Sequence, residues 1–332
     1  MQTREIRLER YPDGLPTSDH FNLVSVDLPE PQDGEVLVRN RFMSVDPYMR
    51  GRMREGNPYF SPFALGVALD GGCVGEVIAS NHPDFEVGDA VTGFYGWREH
   101  FVTSGSEVTH VDPDLAPLST YLGTLGMPGM TAYVGLLDIG RPEPGQTVFV
   151  SAASGAVGSI VGQIARIKGC RVVGSAGSDE KVAWLCDEAG FDAAFNYKSA
   201  GDLAAELDRH CPDGIDVYFD NVGGAHLEAA IDRMNFHGRI ALCGMIAQYN
   251  ATKTSSGPAN LMLAVGMRLT LQGFIVSDYE HRREAFRADM AAWIGAGQIK
   301  WRETVIQGLE NAPVAFTGLF RGDNIGKMVV EL

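Results

Sequence analysis

One stretch constrains this chain more than any other: Thr147-Val148-Phe149-Val150-Ser151-Ala152-Ala153-Ser154-Gly155-Ala156-Val157-Gly158. Apolar β-formers run through small residues into a helical pattern, which we expect over Gly155–Lys168 with Ile160, Ile164 and Ile167 on one stripe. Aligned with G-x-G-x-x-G, Ala153, Gly155 and Gly158 take the fixed places, alanine standing in the first. A side chain at Gly155 would stand between the backbone and a pyrophosphate, and a larger residue at Gly158 would hold the helix away from the sheet. With both absent, the helix N-terminus, from Gly155 through Ala156 and Val157 to Gly158, offers its N–H groups and positive dipole end to phosphates. A tight packing turn without a ligand would use the same residues. The strand before it, the helix after it and a second strand ending near Ser175 favour a dinucleotide.

The end of that second strand decides which dinucleotide. NAD-binding sheets offer Asp or Glu there to the ribose hydroxyls, whereas this chain has Gly174-Ser175-Ala176-Gly177-Ser178. A 2′-phosphate meets no repulsion at that point. Lys181, just beyond, can give it a charge-assisted hydrogen bond of about 1.5–3 kcal/mol, unless it is simply a solvated surface lysine. Asp179 and Glu180 oppose such a site unless they point to solvent. NADP(H) is expected over NAD(H).

Around this motif the chain divides in two. From Phe21 to about Val111, short strands such as Glu35–Arg39, Gly75–Ala79 and Ala90–Phe94 alternate with Pro and Gly turns, an all-β texture. After Tyr121-Leu122-Gly123, strands alternate with helices, the signature of a parallel α/β sheet. Its strands are expected at Thr147–Val150, Arg171–Gly174, Ala193–Asn196, Asp216–Asp220, Arg239–Cys243 and Thr270–Phe274, all short and mostly apolar. Glu280–Gly295 reads as a further helix burying Phe286, Met290, Trp293 and Ile294. Beyond Trp301 the pattern turns β-like, and Lys327–Glu331 can return to the first domain. The expected domains are 1–122 completed by 301–332, and 123–300.

Composition removes several functions. With 45% apolar and 21% charged residues over 332 positions, the chain can bury a sizeable core. Its 42 Asp+Glu against 27 Lys+Arg give a formal net charge of −15, an acidic surface that repels nucleic acid and anionic membrane. Met1–Arg10 lacks the apolar core of a signal peptide, and no apolar run reaches the roughly 18 residues that span a bilayer. A cytoplasmic protein is expected. Cys73, Cys170, Cys186, Cys211 and Cys243 are widely spaced with no C-x-x-C pair, which supports neither a disulfide framework nor structural zinc. The histidines, including His100, His226 and His237, show no metal-like pairing and read as surface or supporting residues.

Taken together, Val45-Asp46-Pro47-Tyr48-Met49-Arg50, Gly126-Met127-Pro128-Gly129-Met130-Thr131-Ala132-Tyr133, the Gly155 turn, Gly177-Ser178-Asp179-Glu180-Lys181, Phe219-Asp220-Asn221-Val222-Gly223-Gly224 and Gly322-Asp323-Asn324-Ile325-Gly326-Lys327 span nearly the full length. In these motifs the chain resembles the zinc-independent medium-chain dehydrogenases/reductases of the leukotriene B4 dehydrogenase, prostaglandin reductase and plant double-bond reductase group. The resemblance implies a GroES-like β domain, a Rossmann domain, NADPH between them, and a homodimer. It puts Gly155, Ala156, Val157 and Gly158 on the pyrophosphate and Lys181 with Tyr197 on the 2′-phosphate. Asn221, Cys243, Gly244, Met245, Ile246, Tyr249, Phe274, Ile275, Val276 and Asn324 follow along the rest of the cofactor. Zinc-containing relatives carry a catalytic Cys, a G-H-E segment and a four-cysteine lobe, where this chain has Phe42–Asp46, Leu65–Asp70 and no such lobe. No metal is expected, because a Lewis-acid site needs three good ligands.

The expected chemistry is 1,4-reduction of an enal or enone: hydride from NADPH to the β-carbon, charge building on the carbonyl oxygen, then protonation of the α-carbon. Tyr249 is the candidate donor to that oxygen, or else it packs and positions the cofactor. Tyr48, Arg50, Tyr59 and Met127 are candidates for the substrate pocket. Arg50 can equally tie loops together, and core packing is the stronger expectation for Met127. Two other readings stay open: an NADPH quinone oxidoreductase on the same fold, and a non-catalytic NADPH-binding protein.

Overall fold

The structure, a computed structural model, describes residues 1–56, 61–253 and 255–332. The chain forms two compact units, Met1–Leu122 with Glu303–Leu332, and Gly123–Arg302.

Among the described residues of the second unit, six strands make one parallel sheet: β1 (Thr147–Val150), β2 (Arg171–Ala176), β3 (Ala193–Asn196), β4 (Ile215–Asp220), β5 (Met234–Leu242) and β6 (Thr270–Gly273). Their order is β3-β2-β1-β4-β5-β6, every neighbouring pair parallel. Helices α1 (Gly158–Ile167), α2 (Asp179–Asp187), α3 (Leu203–His210) and α4 (Gly224–Ile231) connect the first five strands. The order reverses between β1 and β4, the point where sheets of this kind open a crevice at their carboxyl edge.

The apolar runs form strands because both faces are covered. Val148, Phe149 and Val150 are fully buried, each stabilising the sheet by roughly 1.5–3 kcal/mol, and Phe149 stacks on Tyr218 with ring centroids 5.0 Å apart. Several strand ends shift by a residue or more, and four expectations change most. The first helix starts at Gly158, three residues later than its pattern suggests, since Gly155 N–H turns back onto Ala152 O (3.0 Å); its stripe is Ile160, Val161 and Ile164, with Ile167 half-buried. β5 begins at Met234, hidden in the sequence by a bulge in which polar Asn235 and His237 (φ +62°) interrupt the pairing with β4. The helix expected from Glu280 begins at Arg283 after a 3₁₀ stretch, Val276–Arg282, and buries Phe286 and Met290 while Trp293 and Ile294 are half-buried. The β-like reading past Trp301 missed a helix, Ala312–Arg321, with proline in its first turn and Gly322 (φ +76°) closing it.

In the first unit, seven described strands form a largely antiparallel sheet and Gln2–Leu8 pairs with Phe21–Asp27 in a ribbon. The terminal strand Lys327–Glu331 lies antiparallel to Glu35–Ser44. A buried ion pair holds this return: Lys327 Nζ lies 3.2 Å from Asp46 Oδ1 and donates to the carbonyls of Val45 and Met328 (2.8 Å each). The ammonium group is thereby both ion-paired and hydrogen-bonded, the condition under which a buried charge is tolerated.

Candidate active site

The turn after β1 has the shape of a phosphate cradle. A Cβ at Gly155 would have only Ala152 O (3.2 Å) nearby and otherwise enter open space, whereas one at Gly158 would lie 2.6 Å from Ala152 O and 2.8 Å from Ala153 Cα. The first glycine keeps an approach clear; the second lets α1 close on β1. The N–H groups of Ala156, Val157 and Gly158 have no acceptor among the described residues, so they face outward with the helix dipole behind them. Ala152 holds the bend at φ +47°, a conformation costly for a residue with a side chain.

At the end of β2, Ser178 caps α2 by accepting from Lys181 N–H (3.3 Å). Lys181 is only 8% exposed, which overturns its reading as a solvated surface lysine. Asp179 and Glu180 are exposed, and Asp179 accepts from Asn196 Nδ2 (2.8 Å). A Cβ at Gly177 would lie 3.4 Å from Tyr197 Oη and 3.2 Å from Lys198 Cε. Tyr197 and Lys198 thus both hang over the loop that follows β2. Lys198 escaped the sequence reading, although its place beside Tyr197 was the available signal. His226 supports this corner from α4: it is buried, its ring meets Tyr197 edge-on at 5.0 Å, and burial pushes its pKa down to about 4.

At the switch point Asn221 is fixed twice, its N–H on Ser151 Oγ (3.0 Å) and its Nδ2 on Ser151 O (2.8 Å). The next loop hangs on the same strand end, with Cys243 and Gly244 N–H on Asp220 O (2.9 and 3.1 Å) and Ile246 N–H on Asn221 O (3.3 Å). Tyr249 closes that loop by accepting from Met245 N–H (3.3 Å). Its own proton has no acceptor among the described residues and stays available to a ligand. Burial, with the nearby Cys243 and Asp220, holds the Tyr249 hydroxyl above its usual range, so it remains protonated at neutral pH. Burial also pushes the Cys243 thiol to about 12, leaving it unreactive. Phe274 turns its ring inward, edge-on to Phe219 at 6.2 Å, so it can serve a cofactor only through its backbone; Ile275 and Val276 are half-buried beside it.

The substrate candidates fare differently. Arg50 is 3% exposed and donates to the carbonyls of Gly14 (2.8 and 3.1 Å) and Pro12 (3.1 Å). It ties loops together, and the substrate role considered for it is withdrawn. Met127 is 41% exposed at the start of the helix Met127–Val134, which overturns core packing and leaves it available as apolar wall. Tyr48 is half-buried against the core of the first unit, and Tyr59 lies outside the described residues. Asn324, in the same unit as Tyr48, donates through Nδ2 to Gly326 O (2.7 Å), leaving Oδ1 to accept.

The residues do not suit a catalytic zinc. Asp46 is engaged by Lys327 and Ser44, and Asp70 by Arg52. Among the described residues no three His, Cys, Asp or Glu side chains are grouped to hold a metal ion, and no helix is long and apolar enough to cross a membrane.

Sheet order and glycine turn define a dinucleotide-binding fold. Residues 4–111 match the family model for the N-terminal domain of oxidoreductase, and residues 156–295 the one for zinc-binding dehydrogenase. The chain is 46% identical to the 2-alkenal reductase (NADP(+)-dependent) of Nicotiana tabacum, covering 99% of this chain and 97% of that protein. It is 44% identical to the NADPH-dependent curcumin reductase of Escherichia coli (strain K12), covering 97% and 94%. Among solved structures, CurA in complex with NADPH from Vibrio vulnificus matches with a TM-score of 0.94 at 46% identity, covering 99% of this chain and 98% of that one. The chain belongs to the zinc-independent double-bond reductases of the medium-chain dehydrogenase/reductase family, with their GroES-like and Rossmann domains.

Proposed function

We propose that this protein reduces the C=C bond of α,β-unsaturated aldehydes and ketones with NADPH, without a metal. The observation that carries this is what gathers at the β1–β4 switch point: N–H groups without an acceptor among the described residues at a turn left open by Gly155, and a Tyr249 hydroxyl whose proton likewise has no acceptor among them. The open turn fits the pyrophosphate, and Lys181, Tyr197 and Lys198 provide for a 2′-phosphate beside a loop whose nearest acids, Asp179 and Glu180, are exposed. Asn221, the 243–249 loop and the backbone of 274–276 supply further cofactor contacts within the same unit. Bound NADPH supplies hydride to the β-carbon. Tyr249 donates a hydrogen bond to the carbonyl oxygen as negative charge gathers there, and the α-carbon then takes a proton. Met127 offers apolar surface to the substrate.

We further propose a cytoplasmic homodimer. β6 is an edge strand, and Met262 and Val265, in the segment that leads into it, are 79% and 82% exposed, apolar surface that a second copy would cover. Unpaired cysteines, three of them buried, suit a reducing compartment. Following NADPH absorbance with an enal, an enone and a quinone, without added metal, tests the activity. Turnover of enal and enone supports it; oxidation by the quinone alone makes the protein a quinone oxidoreductase, and no oxidation by any of them makes it a binding protein.

A further inference from the structure

Beneath the crevice lies a polar node. Ser151 and Asp220 are fully buried, from strand ends 69 residues apart. Asp220 Oδ1 accepts from Tyr218 Oη (2.6 Å), Gly223 N–H (2.8 Å) and Val222 N–H (2.9 Å), and lies 3.2 Å from Ser151 Oγ. Ser151 Oγ in turn accepts from Asn221 N–H. Three consecutive peptide groups are thus gripped by their N–H ends. Their carbonyl ends all face the next loop: Asp220 O takes Cys243 and Gly244 N–H, Asn221 O takes Ile246 N–H, and Val222 O takes Ala247 N–H (3.2 Å). Each peptide group is a rigid plane, so wherever the node holds its N–H, the loop carrying Tyr249 must follow. The fit leaves little slack, since a Cβ at Gly223 (φ +71°) would lie 2.9 Å from Met245 Cγ.

We infer that Ser151 and Asp220 are positioning residues, a buried clamp that sets the nicotinamide half of the cofactor site by fixing Asn221 and the 243–249 loop. The inference rests on the crevice binding NADPH. Asp220 Oδ2 is buried with no partner among the described residues, so the carboxyl is a poor device for stability alone. Its other oxygen does the placing. Because Ser151 also opens the phosphate turn, the clamp joins the ends of β1, β4 and β5 into one frame.

The test compares two ligands by calorimetry: NADPH, and adenosine 2′,5′-bisphosphate, which carries the 2′-phosphate end but no nicotinamide. Ser151→Ala leaves Asn221 N–H without its acceptor and should weaken NADPH about five- to fiftyfold, with adenosine 2′,5′-bisphosphate held within about twofold. Asp220→Asn, which keeps an oxygen for Val222 and Gly223, should show the same split in smaller measure and serves if Ser151→Ala does not fold. Equal weakening of both ligands, or no change in either, overturns the inference. A parent protein that binds no NADPH would instead remove the reading of the crevice itself.

Discussion

The two glycines of the turn do different work, and alanine at each should separate them. At position 158 the new Cβ would meet Ala152 O at 2.6 Å and Ala153 Cα at 2.8 Å. Both are main-chain atoms, so no rotamer relieves the clash, and α1 must move off β1 by about 0.8 Å to reach an ordinary contact. Overpacking of this kind costs about 1–3 kcal/mol, and at about 2–4 °C per kcal/mol for a domain this size Gly158→Ala should lower Tm by roughly 2–12 °C. NADPH binding should suffer too, because the displaced helix carries the N–H groups away. Gly155→Ala meets only one atom, at 3.2 Å, so its Tm should stay within about 2 °C. Its Cβ, however, enters the space left for the pyrophosphate and should raise the NADPH Kd at least about tenfold, or 1.4 kcal/mol. Differential scanning fluorimetry and calorimetry on the two variants give both quantities. Parent-like NADPH affinity in Gly155→Ala would refute the cradle, and a parent-like Tm in Gly158→Ala would refute the packing argument.

Lys181→Ala should weaken NADPH by about ten- to hundredfold while leaving NADH nearly unchanged; equal losses in parallel titrations would remove the account of cofactor choice. Tyr249→Phe should lower kcat for an enone by about 10²–10³, and an unaltered kcat would reassign the tyrosine to packing. His226 is held at about 4 by burial while the unfolded chain titrates near 6.5, so the unfolded state takes up the proton first and stability falls as pH drops through that window. Between pH 8 and 5 the parent should lose about 2 kcal/mol more in urea unfolding than His226→Leu; parallel losses would refute it.

The parts of the fold legible in the sequence are those written in contiguous residues. Thr147–Gly158 carries strand, turn and helix in one reading, and the missing acid after β2 is a local fact. What escaped depends on distant partners. Lys181 is buried by surroundings that helix spacing does not show, and Met127 sits at a helix start that leaves it exposed. Arg50 turns its guanidinium to the carbonyls of residues 12 and 14, a pairing no pattern encodes. The Ser151–Asp220 clamp joins positions 69 apart, and each alone reads as a polar residue closing a strand. β5 lost its start for another reason, since its bulge breaks the period-two signal.

The most direct test uses NADPH deuterated at the transferring position of the nicotinamide, an α,β-unsaturated aldehyde, and NMR of the product. Deuterium on the β-carbon of a saturated aldehyde is the predicted result. Deuterium on the former carbonyl carbon, as an allylic alcohol, or no transfer at all, would contradict the proposed reaction.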